Sequence, residues 1–280
     1  MPELPELEVV REVLTRRLAG RRIEAVSLAP KGAAIVVRDL TGEGFAASLT
    51  GATLGAVRRR GKFLLFDFPR APFTLAVNPK LTGRFQLCAP REKKVGPVHV
   101  TFHFAAPAEE LRYVDSKRMG QLYLTRDTRR IPTFDEMGPD ALEIGPEDFA
   151  RRLRSFRGEI KGVLTRAPFV AGIGNAYADE ILWHARLHPY RKRTSLSQDE
   201  VSALYQAVRQ TLIDSTGLVR QEMGDDVHRK PREFFAVHMR GGQACPRCGT
   251  TISEITAHQR ITSFCRTCQP GGLVRGLPGT

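Results

Sequence analysis

The sequence predicts an α+β, multidomain protein: an N-terminal antiparallel β-sandwich with flanking helices, followed by a helical C-terminal region that ends in a zinc ribbon. Three observations predict it. Between residues 23 and 125, short β-branched and aromatic runs (AAIVVRDL, FAASLTGATLGAV, KFLLFDF, FTLAV, HVTFHF, LRYVD, QLYLT) are broken by Gly, Pro and charge. Short strands at that spacing read as an antiparallel sandwich or barrel. From about residue 147 the pattern turns helical, in PEDFARRLRSF, NAYADEILWHARL and SQDEVSALYQAVRQTLIDST, because the apolar residues now recur with the period of a helix. Near the end stand two Cys-x2-Cys pairs.

The first element is a helix. After Pro5 the apolar residues Leu7, Val10, Leu14 and Leu18 fall at helical spacing. Proline suits the first helical turn, and Glu3 and Glu6 near the tip complement the positive end of the helix dipole. By itself MPELPELE is a capped helix start. The stretch 131–149, IPTFDEMGPDALEIGPEDF, is acidic and rich in turn residues, so it reads as a linker. Ser197 with Glu200 three residues on is a capping box that opens the last long helix. The expected domains are 1–132 (sandwich), 133–150 (linker), 151–240 (helical), 241–270 (zinc hairpin) and 271–280 (tail).

Charge narrows the partner. The 280 residues hold 43 Lys and Arg against 30 Asp and Glu, a formal net charge of +13. An excess of that size points to a polyanion, either nucleic acid or an anionic membrane. No apolar run approaches the ~18 residues of a spanning helix, and no secretory signal or lipidation motif is present. A cytoplasmic protein in a reducing compartment, with no membrane partner, is therefore expected. The basic excess lies mostly in the second half: residues 1–150 hold 23 basic and 19 acidic side chains, residues 151–280 hold 20 and 11.

Cys245, Cys248, Cys265 and Cys268 have the spacing of one tetrahedral Zn2+ site, in which each pair supplies two thiolates and the hairpin between them brings the pairs together. Four thiolates leave no open coordination position, so the zinc is expected to be structural. The hairpin carries His258 and Arg260; Arg260 suits a phosphate equally well as it suits solvent. Cys88 reads as a small buried hydrophobe. Gly172 and Gly174 precede a helix whose free amides, with Asn175 as cap, make a ready phosphate site; a plain helix–turn–helix explains them as well. The clusters Arg58-Arg59-Arg60-Gly61-Lys62 and Arg191-Lys192-Arg193 add positive charge.

PELPE after Met1, GIGNAYADE at 172–180 and CPRCG…HQRITSFCRTCQ at 245–269 together resemble the formamidopyrimidine-DNA glycosylase family of base-excision enzymes. The resemblance spans nearly the whole chain in the expected order. It implies that residues 151–240 form a helix-two-turn-helix DNA-binding domain, and that Met1 is removed so that the Pro2 nitrogen becomes the nucleophile. An α-amino group has a reference pKa of ~8 against ~10.4 for lysine, so more of it is neutral near pH 7. Glu3 is implied as the general acid and base, which favours a raised pKa, and Glu6 as a residue that orders the site. Lys62 matches a lysine that contacts phosphate near the lesion. Asn175 and Arg260 match the phosphate clamps around the extruded nucleotide, and Lys161 matches a lysine near the damaged site. Extrusion is needed because C1′ cannot be reached in a stacked duplex.

Two stretches depart from the family pattern. Where the family has His-Leu-Gly-Met, this chain has Asn78-Pro79-Lys80-Leu81, so Leu81 becomes the filler of the hole left by the flipped base. Where it has Asp-Pro-Arg-Arg-Phe-Gly, this chain has Asp115-Ser116-Lys117-Arg118-Met119-Gly120. Lys117 then replaces the arginine that pairs with the estranged cytosine, and Met119 replaces the phenylalanine wedge. A point charge in place of a planar fork weakens opposite-base discrimination.

The expectation is a bifunctional DNA glycosylase and AP lyase. It acts as a monomer on damaged double-stranded DNA, in a bacterial-type cytoplasm where DNA binding associates it with the nucleoid. A damage- or abasic-site-binding protein that has lost efficient excision is the alternative. A zinc-ribbon regulator explains least, since it leaves Pro2 and Glu3 without a use.

Overall fold

The computed structural model describes residues 1–257 and 260–271. His258 and the expected tail beyond Gly271 lie outside the described residues. The chain forms two compact units: Met1–Glu136 with Thr216–Pro231, and Met137–Ser215 with the chain from Arg232 onward.

The first unit begins with α1 (Leu4–Leu18), β1 (Ile23–Leu28), α2 (Pro30–Val36), β2 (Val37–Asp39) and α3 (Phe45–Leu49). The strands β3 (Val57–Arg60), β4 (Phe63–Asp67), β5 (Thr74–Asn78), β6 (Arg84–Cys88), β7 (Val98–Phe104), β8 (Glu109–Val114) and β9 (Gln121–Thr125) follow. They build a four-stranded sheet of order β1-β7-β8-β6 and a five-stranded sheet of order β2-β9-β5-β4-β3. Every pairing is antiparallel except β2 with β9. The inner faces meet where Phe66 on β4 packs edge-on against Phe85 on β6 at 5.5 Å between ring centres, and Phe85 packs likewise against Tyr113 of its own sheet, on β8. Burying such rings is the main stabilising contribution, at about 25 cal/mol per Å² of apolar surface.

Two expected strands are partly helical. AAIVVRDL enters the sheet only for the three residues of β2, because Pro30 starts a helix that runs to Val36. FAASLTGATLGAV opens with α3, where Phe45 and Leu49 bury one helical face and Gly44 (φ 91°) and Gly51 (φ 85°) flank it. Small alanines between two apolar residues four apart favour a helix over a strand. Cys88 is buried, as expected, and burial pushes its thiol up to about 11.

The second unit holds α4 (Pro146–Arg154), α5 (Ile160–Leu164), α6 (Asn175–His184), most of α7 (Gln198–Met223) and a hairpin of β10 (Ser253–Ala257) and β11 (Arg260–Phe264). Its helical core is built on Phe149, Phe169 and Tyr205, with ring centres 5.1 and 5.5 Å from Phe149. The capping box at the start of α7 is present: Ser197 N–H donates to Glu200 Oε2 at 2.8 Å, and Glu200 N–H donates to Ser197 Oγ at 3.2 Å. Within the stretch 131–149, Ile131, Phe134, Ala141, Ile144 and Phe149 are buried.

Candidate active site and nucleic-acid interface

In the first unit, the tip of the chain is held in place. Leu4, Leu7, Leu14 and Leu18 are 0–2 % exposed, so α1 is anchored along its length and its start does not fray as chain ends usually do. Thr15 Oγ1 donates to the Val57 carbonyl and accepts from the Val57 amide, both at 3.1 Å, tying α1 to β3. Glu3 is the N-cap residue of α1 and is only 2 % exposed. Its backbone N–H donates to Glu6 Oε2 at 2.9 Å. Glu6, itself 2 % exposed, thus braces the backbone of the residue beside Pro2. Pro2 lines an open cleft of about 180 Å³ together with Glu6, Leu81, Arg84, Ser116 and Lys230.

The arginine run before Lys62 is spent within the unit. Arg58 pairs with Asp67 at 2.8 Å, Arg59 with Glu8 at 2.7 Å, and Arg60 lies over the Phe134 ring at 4.7 Å. Burial acts to raise the Glu8 carboxyl, but bonds from Arg11 and Arg59 outweigh it and hold the group below the usual carboxylate range. Lys62 follows at the β3–β4 turn, where Gly61 takes φ 56°.

The two divergent loops are joined to each other. Thr82 Oγ1 bonds to Asp115 Oδ1 and accepts the Lys117 amide at 3.0 Å, while Asp115 Oδ2 accepts the Gly120 amide at 2.7 Å. From behind, His99 Nε2 bonds to the Asp115 carbonyl at 2.7 Å. A Cβ at Gly83 or Gly120 would sit 2.1 or 1.6 Å from the Tyr113 hydroxyl oxygen, so both loops need glycine there. Lys80 and Arg118 adopt φ of 51° and 52°, a left-handed conformation that costs an L-residue about 1–2 kcal/mol and is found preferentially at functional sites. The loops present Leu81 and Met119, 41 % and 47 % exposed, with an exposed Lys117 between them in sequence. Large apolar side chains left in water, on strained and cross-linked loops, are placed to enter something apolar.

In the second unit, Asn175 is the first residue of α6, but Gly174 is the N-cap residue. The expectation that Asn175 caps its own helix is corrected: its Nδ2 donates instead to the Ile261 carbonyl at 2.7 Å. Tertiary docking of the hairpin has outcompeted the local cap. Lys161, expected against DNA, is 7 % exposed; its Nζ lies 2.7 Å from Asp179 Oδ1 and donates to the Ile261 carbonyl at 2.8 Å and to Thr262 Oγ1 at 2.9 Å. Its charge is thus neutralised inside the unit. Arg260 begins β11 and is exposed.

The four cysteine sulfurs lie within 4.8 Å of one another. Cys248 and Cys265 are 3.5 Å apart, Cys245 and Cys268 3.9 Å apart. Tetrahedral Zn–S bonds of ~2.3 Å require sulfurs about 3.8 Å apart, so the residues fit the ion and hold one structural zinc. Hydrogen bonds from Thr250 bring the Cys248 thiol down to about 6, whereas burial and the neighbouring sulfurs push Cys268 up to about 12. A divalent cation is what lets all four carry charge together. Trp183 Nε1 donates to Cys245 Sγ at 3.4 Å, and its ring packs under Arg247 at 3.9 Å.

Sequence reasoning missed Asp115 and Thr82, which join the divergent loops, and Asp179 and Glu180, which sit within the buried face of α6. Glu180 accepts the amides of Ala236, Val237 and His238 at 2.8–2.9 Å, yet burial still raises its carboxyl. The available signal was two adjacent acids in NAYADEILW, an otherwise apolar helix that has no room for charge without partners.

Three family models match the chain in order. The formamidopyrimidine-DNA glycosylase N-terminal domain covers residues 1–122, the formamidopyrimidine-DNA glycosylase H2TH domain 137–223, and the zinc finger found in FPG and IleRS 242–271. A formamidopyrimidine-DNA glycosylase from Symbiobacterium thermophilum is 36 % identical over 96 % of this chain and 90 % of its own length. Among solved structures, Lactococcus lactis Fpg in complex with DNA containing an abasic site superposes with a TM-score of 0.85 at 29 % identity, covering 96 % of this chain and all of that one. The complex of the same Lactococcus lactis protein with Fapy-dG-containing DNA gives 0.84 at the same identity and coverage.

Proposed function

The chain belongs to the formamidopyrimidine-DNA glycosylase family, and from that premise we propose that it is a base-excision DNA glycosylase and AP lyase whose nucleophile is Pro2 and whose proton carrier is Glu3. The observation that carries this reading is the construction of the chain's tip: a proline beside an open cleft, followed by a buried carboxylate whose own backbone is braced by Glu6.

Once Met1 is removed, the secondary amine of Pro2 attacks C1′ of the flipped nucleotide. The C1′–N bond to the base breaks, and the base leaves with a proton. Glu3 protonates the sugar ring oxygen, the ring opens, and loss of the Pro2 proton gives a C1′ iminium, which is cationic because proline is a secondary amine. That cation draws electrons from C2′; a base takes the C2′ proton and the 3′ phosphate departs, loss of the C4′ proton expels the 5′ phosphate in δ-elimination, and water hydrolyses the remaining iminium to free Pro2. Glu3 suits the proton transfers because it adjoins the nucleophile in sequence and is withdrawn from solvent.

Lys62, Asn175 and Arg260 bind phosphates around the extruded nucleotide, and Leu81, Lys117 and Met119 occupy the duplex it leaves. Support for the last set comes from their exposure and from the Thr82–Asp115 link that makes their loops one unit. The substrate class is ring-opened or oxidised bases and abasic sites in double-stranded DNA, by kinship with the Lactococcus lactis protein bound to such DNA. With lysine at 117, tolerance of the opposite base is broader than an arginine there gives. The protein acts as a monomer on the DNA of a bacterial-type cytoplasm. Among the described residues no helix is long and apolar enough to cross a membrane. The alternative of a binding protein without excision is not favoured by the kinship.

Borohydride trapping tests the reading. With an abasic-site duplex and NaBH4, the protein forms a covalent complex that is lost in Pro2→Gly and Glu3→Gln; no trapped complex between pH 6 and 9 removes the lyase reading.

A further inference from the structure

Asp179 is a buried, many-partnered carboxylate of the second unit that the mechanism does not use. Its side chain has no exposed surface. Oδ1 lies 2.7 Å from Lys161 Nζ on α5; Oδ2 lies 2.8 Å from His238 Nδ1 and accepts the Ser263 amide of β11 at 3.2 Å. One carboxylate on α6 therefore gathers α5, the stretch after Pro231 and the hairpin strand. Ser263 Oγ extends the network, donating to Glu254 Oε2 on β10 at 3.1 Å and accepting the Met239 amide at 3.1 Å.

The network surrounds the expected phosphate clamp. Asp179 stands four residues after Asn175, on the same face of α6. Lys161, fixed by Asp179, donates to the Ile261 carbonyl, the same atom that receives the Asn175 amide. Ile261 directly follows Arg260. The two clamp residues are thus joined through a single carbonyl whose second donor is the cation held by Asp179.

We propose that Asp179 is a positioning residue of the DNA clamp, locking β11 to α6 so that Asn175 and Arg260 keep a fixed separation for the phosphates they bind. This rests on the reading of Asn175 and Arg260 as phosphate contacts. The physical reason is the cost of breaking a buried ion pair: without the Asp179 anion, Lys161 loses the carboxylate that lies 2.7 Å from its Nζ. The Lys161 bond to the Ile261 carbonyl and the Ser263 amide bond to Oδ2 are then no longer reinforced by charge. A clamp that must be ordered at the moment of binding binds more weakly than one already in place.

The test is a titration of a duplex containing a tetrahydrofuran abasic analogue over a range of NaCl concentrations. It compares wild type, Asp179→Asn, Arg260→Ala, the Asp179→Asn/Arg260→Ala double variant and Lys161→Gln/Asp179→Asn, with zinc content measured for each. Arg260→Ala is expected to weaken binding about tenfold and to lower the slope of log K against log salt by about one, the signature of one lost phosphate contact. Asp179→Asn is expected to do the same with its zinc retained. Because both act through one contact, the double variant stays within about twofold of Arg260→Ala alone. Lys161→Gln/Asp179→Asn leaves neither charge buried alone, so it folds and shows the reduced slope. Asp179→Asn with wild-type affinity and slope overturns the proposal, as does a double variant that loses the full sum of the single effects. Arg260→Ala with unchanged affinity overturns the Arg260 reading itself, and the proposal with it, which distinguishes that failure from the other two.

Discussion

The two units build their functional ends by opposite means. In the first, the proposed chemistry sits on consecutive residues at the chain's tip, and the fold buries α1 beneath them; Leu4 and Leu14 are 0 % exposed. In the second, the proposed clamp residues Asn175 and Arg260 are 85 positions apart in sequence, and a zinc site with a buried ionic network brings their segments together. A local site depends on its chain end and helix cap. A dispersed site depends on every cross-link that holds its segments in register.

The sharpest way to break that contrast is to remove the zinc. Structural zinc contributes about 10–16 kcal/mol of apparent binding energy in small zinc domains, so chelation should abolish DNA binding while the first unit stays folded. Circular dichroism and limited proteolysis, read alongside binding, check this; unchanged affinity in the apo protein would sink the hairpin's role. Next in size is Glu3→Gln, expected to cut strand cleavage by about 10²–10⁴-fold and to leave affinity for an uncleavable abasic analogue within a few-fold. Single-turnover rates beside binding isotherms decide it, and a parallel loss of affinity would make Glu3 a structural residue.

A smaller effect is expected of Lys117→Arg. Restoring a planar fork should raise the preference for cytosine opposite the lesion by about 1–3 kcal/mol, measured as the ratio of excision rates with C and with A opposite. An unchanged ratio would show that the loop does not reach the opposite base. Smallest is Glu8, which fastens α1 through Arg59. Its carboxyl is held below its ordinary value of 4.5, so its stabilisation is present above that pH and is lost as the pH falls through the lower folded value. The group is partly solvated, so the contribution is under about 1 kcal/mol. Melting curves from pH 6 to 3 should show wild type losing slightly more stability on acidification than Glu8→Gln.

How much was legible follows the same division. The sheet-forming runs, the helical second half and the zinc spacing were plain, because each is a local pattern of period or interval. AAIVVRDL and FAASLTGATLGAV misled because β-branched and small residues are ambiguous over short lengths, and Pro30 and the flanking glycines decided in favour of helices. The arginine run 58–60 read as added positive charge, yet Asp67, Glu8 and Phe134 engage it, and all three lie outside the run.

The sequence by itself determined the four thiolates and the charge that calls for a polyanion, because these depend on residue types at short, countable spacings, and it carried the three motifs whose family resemblance implies Pro2 and Glu3 as the reacting pair. Only the tertiary structure decided that Asn175 bonds to a hairpin carbonyl instead of capping its own helix, that Lys161 is neutralised by Asp179, and that Thr82 and Asp115 make the two divergent loops one unit. Those outcomes depend on which distant group satisfies each buried charge or amide. No local spacing encodes that choice, and burial makes it obligatory.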